Sequence, residues 1–261
     1  MATYWQSRMA KAQDVISQKN RKQVERILRK QYRQAAQSIM DDFEATYNKL
    51  LNTIVEGRKP TPADLYKLDK YWQMQVQVDK VLKQLNERQT RHLTRVFRQN
   101  FSEVYNSLEI KGLEAFSTID ENAVMQIINQ IWCADGKSWS QRIWENTNLL
   151  KETLNEELIN CVVGGRPPSY LKKLLMERFN VSYGRADALV RTELAHIQTQ
   201  AAQQRYRDYG IQELEVLADK DERQCEHCGK LHGKRYSIND VMPVPAHPRC
   251  RCCMVPVIDD K

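Results

Sequence analysis

The chain lacks the marks of several protein classes. Its 261 residues contain no run of eighteen apolar residues, which excludes a transmembrane helix. The opening stretch MATYWQSRMAKAQ has no apolar h-region to direct the chain to an oxidising compartment. There is no H-E-x-x-H helix, no H-x-E ahead of P-C-x-x-C, no glycine-rich phosphate loop, and no nucleophile beside a partnered base. These absences leave a soluble, intracellular, globular protein without a recognisable catalytic constellation. What is present in quantity is apolar residue, 41% of the chain, enough for a sizeable core in one large domain or two ordinary ones.

The seven cysteines are unevenly placed: five of them, with three of the five histidines, fall between positions 219 and 256. Cys225 and Cys228 form C-x-x-C, and after eighteen intervening residues His247, Cys250 and Cys252 form H-x-x-C-x-C. A C-x-x-C turn aims two sulfurs at one point, and thiolate or imidazole donors at about 2.0 to 2.3 Å satisfy tetrahedral zinc. The expected ligands are Cys225, Cys228, His247 and Cys250, with Cys252 the rival for the fourth place. Reduced, unliganded thiols are the plain alternative; a disulfide set fits poorly with an odd count and no export signal. Large apolar residues are sparse here, mainly Leu231, Tyr236, Ile238, Val241 and Met254. A structural zinc, worth on the order of 10 to 16 kcal/mol of folding free energy, would replace the missing core. A structural site is favoured over a catalytic one, which would need an open position and a general base.

Charge is uneven too. Residues 1 to 35 hold nine Lys or Arg against Asp14 and Glu25, a local +7 that equals the net charge of the whole chain. Arg21, Lys22, Arg26, Arg29 and Lys30 are therefore the candidate contacts to nucleic acid or an acidic partner, against the plain alternative of a solvated helix face.

Apolar residues at steps of three and four predict a helix from about Gln23 to Ile54, ending near Gly57 ahead of Pro60 and Pro62. A second, from Thr61 or Pro62 to about Leu108, would pair with it as a helical arm or bundle over residues 1 to 118. Shorter helices follow: 120 to 133 with Asp120 as cap, about 140 to 163, 169 to 179, and one from a Ser182 cap to Tyr209, with Gly210 as terminator. Cys133 and Cys161 lie in these apolar stripes as small core residues. Alternation at Leu214, Val216 and Ala218 predicts a strand, with others at 252 to 258 and 235 to 238. The fold class is α+β, predominantly α, with a zinc-pinned antiparallel module at 211 to 258 closing a second domain over 119 to 261.

The run Asp221, Cys225, Cys228, His232, Gly233, followed by Pro245, His247, Pro248, Cys250, Arg251 and Cys252, resembles the signature of the Mu F-like minor head proteins of tailed bacteriophages. The resemblance reaches upstream to Arg191-Thr192-Glu193 and more loosely to Trp139 through Trp144, covering about 135 to 257. It implies a structural, non-enzymatic minor capsid protein acting in head morphogenesis. Its implied partners are the portal, the major capsid or scaffolding protein and packaged double-stranded DNA, and its implied location is the procapsid and virion after assembly in the host cytoplasm. No membrane or small-molecule partner is implied. Cys253 is extra to the pattern, and the chain ends too soon after it for a fused toxin or enzyme domain. Arg191 and Glu193, mid-helix, cannot face one direction, so an ion pair with other helices is expected of them, and His196 is read as structural. The competing readings are a zinc-scaffolded nuclease acting through His232 or His227 and a zinc-ribbon-like nucleic-acid-binding protein.

Overall fold

The computed structural model describes residues 4–51, 57–58, 64, 69–110, 113, 120–163, 166, 168–218 and 225–258. Its elements in order are α1 (Tyr4–Leu51), α2 (Lys70–Ser107), α3 (Glu121–Ile128), α4 (Trp139–Val163), α5 (Pro168–Asp208), β1 (Glu213–Leu217), α6 (Glu226–Leu231), β2 (Arg235–Ser237) and β3 (Cys253–Pro256). They divide into two compact units. One comprises residues 1–25, 92–139 and 188–261, the other residues 26–91 and 140–187.

The second unit is an all-helical packing of apolar stripes. Leu28, Tyr32, Ile39 and Phe43 from α1, Val78, Leu82 and Leu85 from α2, Leu150, Leu154 and Leu158 from α4, and Leu171, Leu175 and Phe179 from α5 are all buried. Each contributes on the order of 1.5 to 3 kcal/mol by leaving water. Tyr32 meets the rings of Phe179 and Tyr183 edge-on at 6.4 and 5.9 Å.

The first unit packs the later part of α2 (Leu93, Phe97, Phe101, Val104) and that of α5 (Val190, Leu194, Ile197, Tyr206) with α3 and the sheet. Phe97 and Trp139 make a T-shaped pair at 5.1 Å. Asp120 caps α3, its carboxylate accepting from the Asn122 N–H. The three strands are antiparallel in the order β2-β1-β3, with Leu214 opposite Tyr236 and Pro256, and Val216 opposite Met254.

Several features differ from the sequence expectation, among them the helix expected at 120 to 133, which ends at Ile128 with Asn129 as C-cap. Helix α1 starts at Tyr4, nineteen residues before Gln23, because its buried stripe continues upstream in polar residues, Gln6, Gln13, Ser17 and Asn20, that hydrophobic periodicity does not register. The helices expected at 169 to 179 and from Ser182 to Tyr209 are one 41-residue helix, α5. Ser182 does not cap: its hydroxyl turns to the Tyr32 hydroxyl at 3.4 Å and its carbonyl accepts from Asn146 at 2.9 Å. Val241, counted among the module's apolar residues, is 93% exposed.

The end at Gly210 is as expected. With φ +74, its N–H reaches the Arg207 carbonyl at 2.9 Å while that of Ile211 reaches Tyr206 at 3.0 Å, a Schellman closure. Gly57 also has positive φ, at a turn; the expected start of the second helix at Thr61 or Pro62 lies outside the described residues. No helix among the described residues is long and apolar enough to cross a membrane.

Candidate metal centre

Cys225 stands just before α6, and the helix turns immediately after it: the N–H of Cys228 points at Cys225 Sγ (3.3 Å) and that of Gly229 at the Cys225 carbonyl (3.0 Å). This is how C-x-x-C brings two sulfurs to one side of a short turn. The other half of the site comes from the segment ahead of β3, which pairs with β1 and so carries residues 247 to 252 back towards α6.

The two halves meet. His247 Nε2 lies 3.4 Å from Cys225 Sγ and 3.1 Å from Cys228 Sγ, and Cys228 Sγ lies 3.8 Å from Cys250 Sγ. A tetrahedral ion with donors at about 2.0 to 2.3 Å separates those donors by roughly 3.4 to 3.8 Å. The donor atoms of Cys225, Cys228 and His247, and those of Cys228, Cys250 and Cys252, each fall within 4.8 Å of one another, so the cluster is able to hold a metal ion. The tautomer of His247 suits this role. Its Nδ1 lies 2.9 Å from the Pro248 carbonyl, which can only accept, so Nδ1 carries a hydrogen and Nε2 faces the sulfurs; the same hydrogen bond raises the His247 pKa.

The thiols are strongly differentiated. A hydrogen bond from Cys252, with others from the neighbouring backbone, brings the Cys250 thiol down to about 5. The same hydrogen bond, with burial, pushes Cys252 far above the ordinary thiol range, and burial pushes Cys228 up to about 12. Backbone and side-chain hydrogen bonds from Cys228 lower the Cys225 thiol.

Of the remaining motif residues, His232 ends α6, its N–H bonded to the Cys228 carbonyl (3.1 Å) and its Nδ1 accepting from the Ala218 N–H (3.3 Å). Those bonds tie the knuckle to the end of β1. Gly233, at φ +78, donates to the Val216 carbonyl at 2.9 Å. The peptide before Pro245 is cis. Asp221 lies outside the described residues. His227 is exposed on α6.

Arg191 and Glu193 point apart, as their spacing requires. Arg191 pairs with Glu25 of α1 at 3.3 Å. Glu193 is buried and accepts from the Trp132 indole N–H at 2.9 Å, and that indole stacks on His196 at 4.2 Å. Burial lowers His196 to about 4, a neutral ring in a sealed place. No spacing or periodicity pointed to Trp132's part. Cys161 is buried as expected and Cys133 only partly so.

The module is held to the helices by amides that sequence reading also passed over. Gln13 Nε2 donates to the Met254 carbonyl (2.9 Å), Gln203 Nε2 to that of Ile238 (2.7 Å), and the Arg249 N–H to Thr192 Oγ1 (3.1 Å). Of the basic candidates, Lys22, Arg26, Arg29 and Lys30 are exposed, with Arg29 over the Tyr183 ring at 5.0 Å, whereas Arg21 is half-buried.

Residues 152–255 match the family model described as Phage Mu protein F like protein. Both halves of the Cys/His cluster and Arg191-Thr192-Glu193 fall inside it; Trp139 to Trp144 lies upstream. No curated protein and no solved structure matches the chain.

Proposed function

We propose, from the match of residues 152–255 to the Phage Mu protein F like family model, that the chain is a structural minor capsid protein of a tailed bacteriophage or prophage. It acts beside the portal in assembling the head, and in packaging or ejecting DNA. The observation that carries the reading is that match, in a family of phage head morphogenesis proteins, over the same residues that converge as a Cys/His cluster.

In this reading the cluster holds a structural zinc through Cys225, Cys228, His247 and Cys250. Cys250 Sγ, 3.8 Å from Cys228 Sγ, supports it as fourth ligand, with Cys252 the alternative. The role is structural: four protein donors leave no open position, and His232 is engaged with backbone on both sides. Lys22, Arg26, Arg29 and Lys30, exposed on α1, contact packaged DNA or an acidic head protein.

The test is association with particles. Procapsids and virions from an induced prophage are purified, and this chain is quantified by mass spectrometry against portal and major capsid protein. A few copies per portal ring is the expected result; absence from both particles overturns the reading. Neutralising the four exposed basic residues should weaken duplex DNA binding and flatten its salt dependence, and unchanged binding would remove DNA as their partner.

A further inference from the structure

Beside the thiol cluster, within the first unit, lies a cavity of about 40 Å³. Its polar lining comes from Gln13, Ser17 and Arg21 of α1, Gln198 and Thr199 of α5, and Arg251 between two of the cysteines. One water needs about 10 to 15 Å³ by this measure, so the space takes a few waters or one small tetrahedral ion.

Its lining is short of acceptors. Gln198 is only 7% exposed, and its Nε2, like Arg21 Nε, is buried with no hydrogen-bond partner among the described residues. Both are N–H donors. Arg21 makes no hydrogen bond or ion pair at all among the described residues, although its guanidinium is half-buried. A buried donor left unpaired is destabilising, more so when charged. Like charge adds to the deficit. Burial first, then the repulsion of Arg191 and Arg251, lowers the Arg21 pKa, while Asp14 and Cys250 offset only part of this. Asp14, the one carboxylate in the lining, already accepts from Gln18 at 2.8 Å. Waters can fill such a space, but a small, acceptor-only anion such as a phosphate group also answers the like charge of Arg21 and Arg251.

We infer that Arg21, Arg251 and Gln198 form an oxyanion pocket that takes a phosphate group. The pocket is separate from the exposed basic face of α1 and stands whether or not the chain is a head protein. The phosphate is either a free ion or one phosphodiester of a nucleic acid strand, and the chemistry of recognition is the same for both.

The experiment is titration of the full-length protein with inorganic phosphate, followed by calorimetry and by thermal melting, with sodium chloride at matched ionic strength as control. One saturable site is expected, with a rise in Tm that chloride does not reproduce. Arg21→Gln and, independently, Gln198→Leu should each weaken binding by about tenfold or more while circular dichroism and bound-metal content stay as in the wild type. A wild type that shows no saturable phosphate binding overturns the pocket, as does undiminished affinity in a folded Arg21→Gln. Because the wild-type titration stands alone, a variant that fails to fold does not rescue the idea. A labelled DNA duplex supplies the second arm. Displacement of the duplex by phosphate, beyond the effect of matched chloride, assigns the pocket to a phosphodiester; DNA binding indifferent to phosphate, with the site still titrating, assigns it to the free ion.

Discussion

The helical unit of residues 26–91 and 140–187 and the small module of 213–258 hold themselves together by different means. In the first, thirteen large side chains named above from four helices leave water together, and no single residue is indispensable. In the second, three strands of five, three and four residues bury fewer large side chains, Leu214, Val216, Met254 and Val255 among them. A few point attachments add to that burial: five sulfur and nitrogen donors able to hold a metal ion, and the glutamine amides that fix Met254 and Ile238. Distributed burial yields gradually to mutation. A structure held at points yields all at once.

That contrast is sharpest for the proposed metal. Cys225→Ser with Cys228→Ser should lose the ion and its contribution, on the order of 10 kcal/mol, so that hydrogen-exchange protection over 213–258 collapses while that of 140–163 persists. Persistence of both would mean that the module folds without metal. The converse change is Leu154→Ala in the fully buried stripe of α4, expected to cost about 2 to 5 kcal/mol of thermal stability with metal content unaltered. Metal lost along with the helices would break the comparison.

His196 separates the two kinds of support by pH. Its folded pKa of about 4 lies below the ordinary value of 6.5, so the folded state refuses a proton that the unfolded chain accepts. The stability it contributes is full above pH 6.5 and is lost as pH falls towards 4, at roughly 1.4 kcal/mol per pH unit. Denaturant midpoints of wild type and His196→Gln should therefore converge as pH drops through that window; parallel curves would show that burial does not suppress this histidine. Gln203→Leu, which removes the amide donor to the Ile238 and Asp240 carbonyls while Arg207 still donates to Ile238, should cost about 1 to 2 kcal/mol and speed exchange in β2 first. Smallest is Asp120→Ala, about 1 kcal/mol, read as fraying of α3 alone.

Much of the helical architecture was legible because apolar residues at steps of three and four report a buried stripe directly. Legibility failed where the stripe turned polar, at Gln6, Gln13, Ser17 and Asn20, and where a serine suited to capping had a better partner in Tyr32. That Cys225, Cys228, His247 and Cys250 come together was legible from spacing, since a C-x-x-C turn is short-range.

The sequence by itself determined the Cys/His cluster, the three strands, the terminator at Gly210 and the helical stripes, all of which depend on local spacing and local conformational preference. Only the tertiary structure decided that 168–208 is one helix, that Trp132 closes over His196, that glutamines from α1 and α5 hold the sheet, and that Arg21 turns inward towards Gln198 and Arg251. The reason is physical: whether a polar side chain caps, anchors or waits unpaired is set by the groups that distant parts of the chain bring to it.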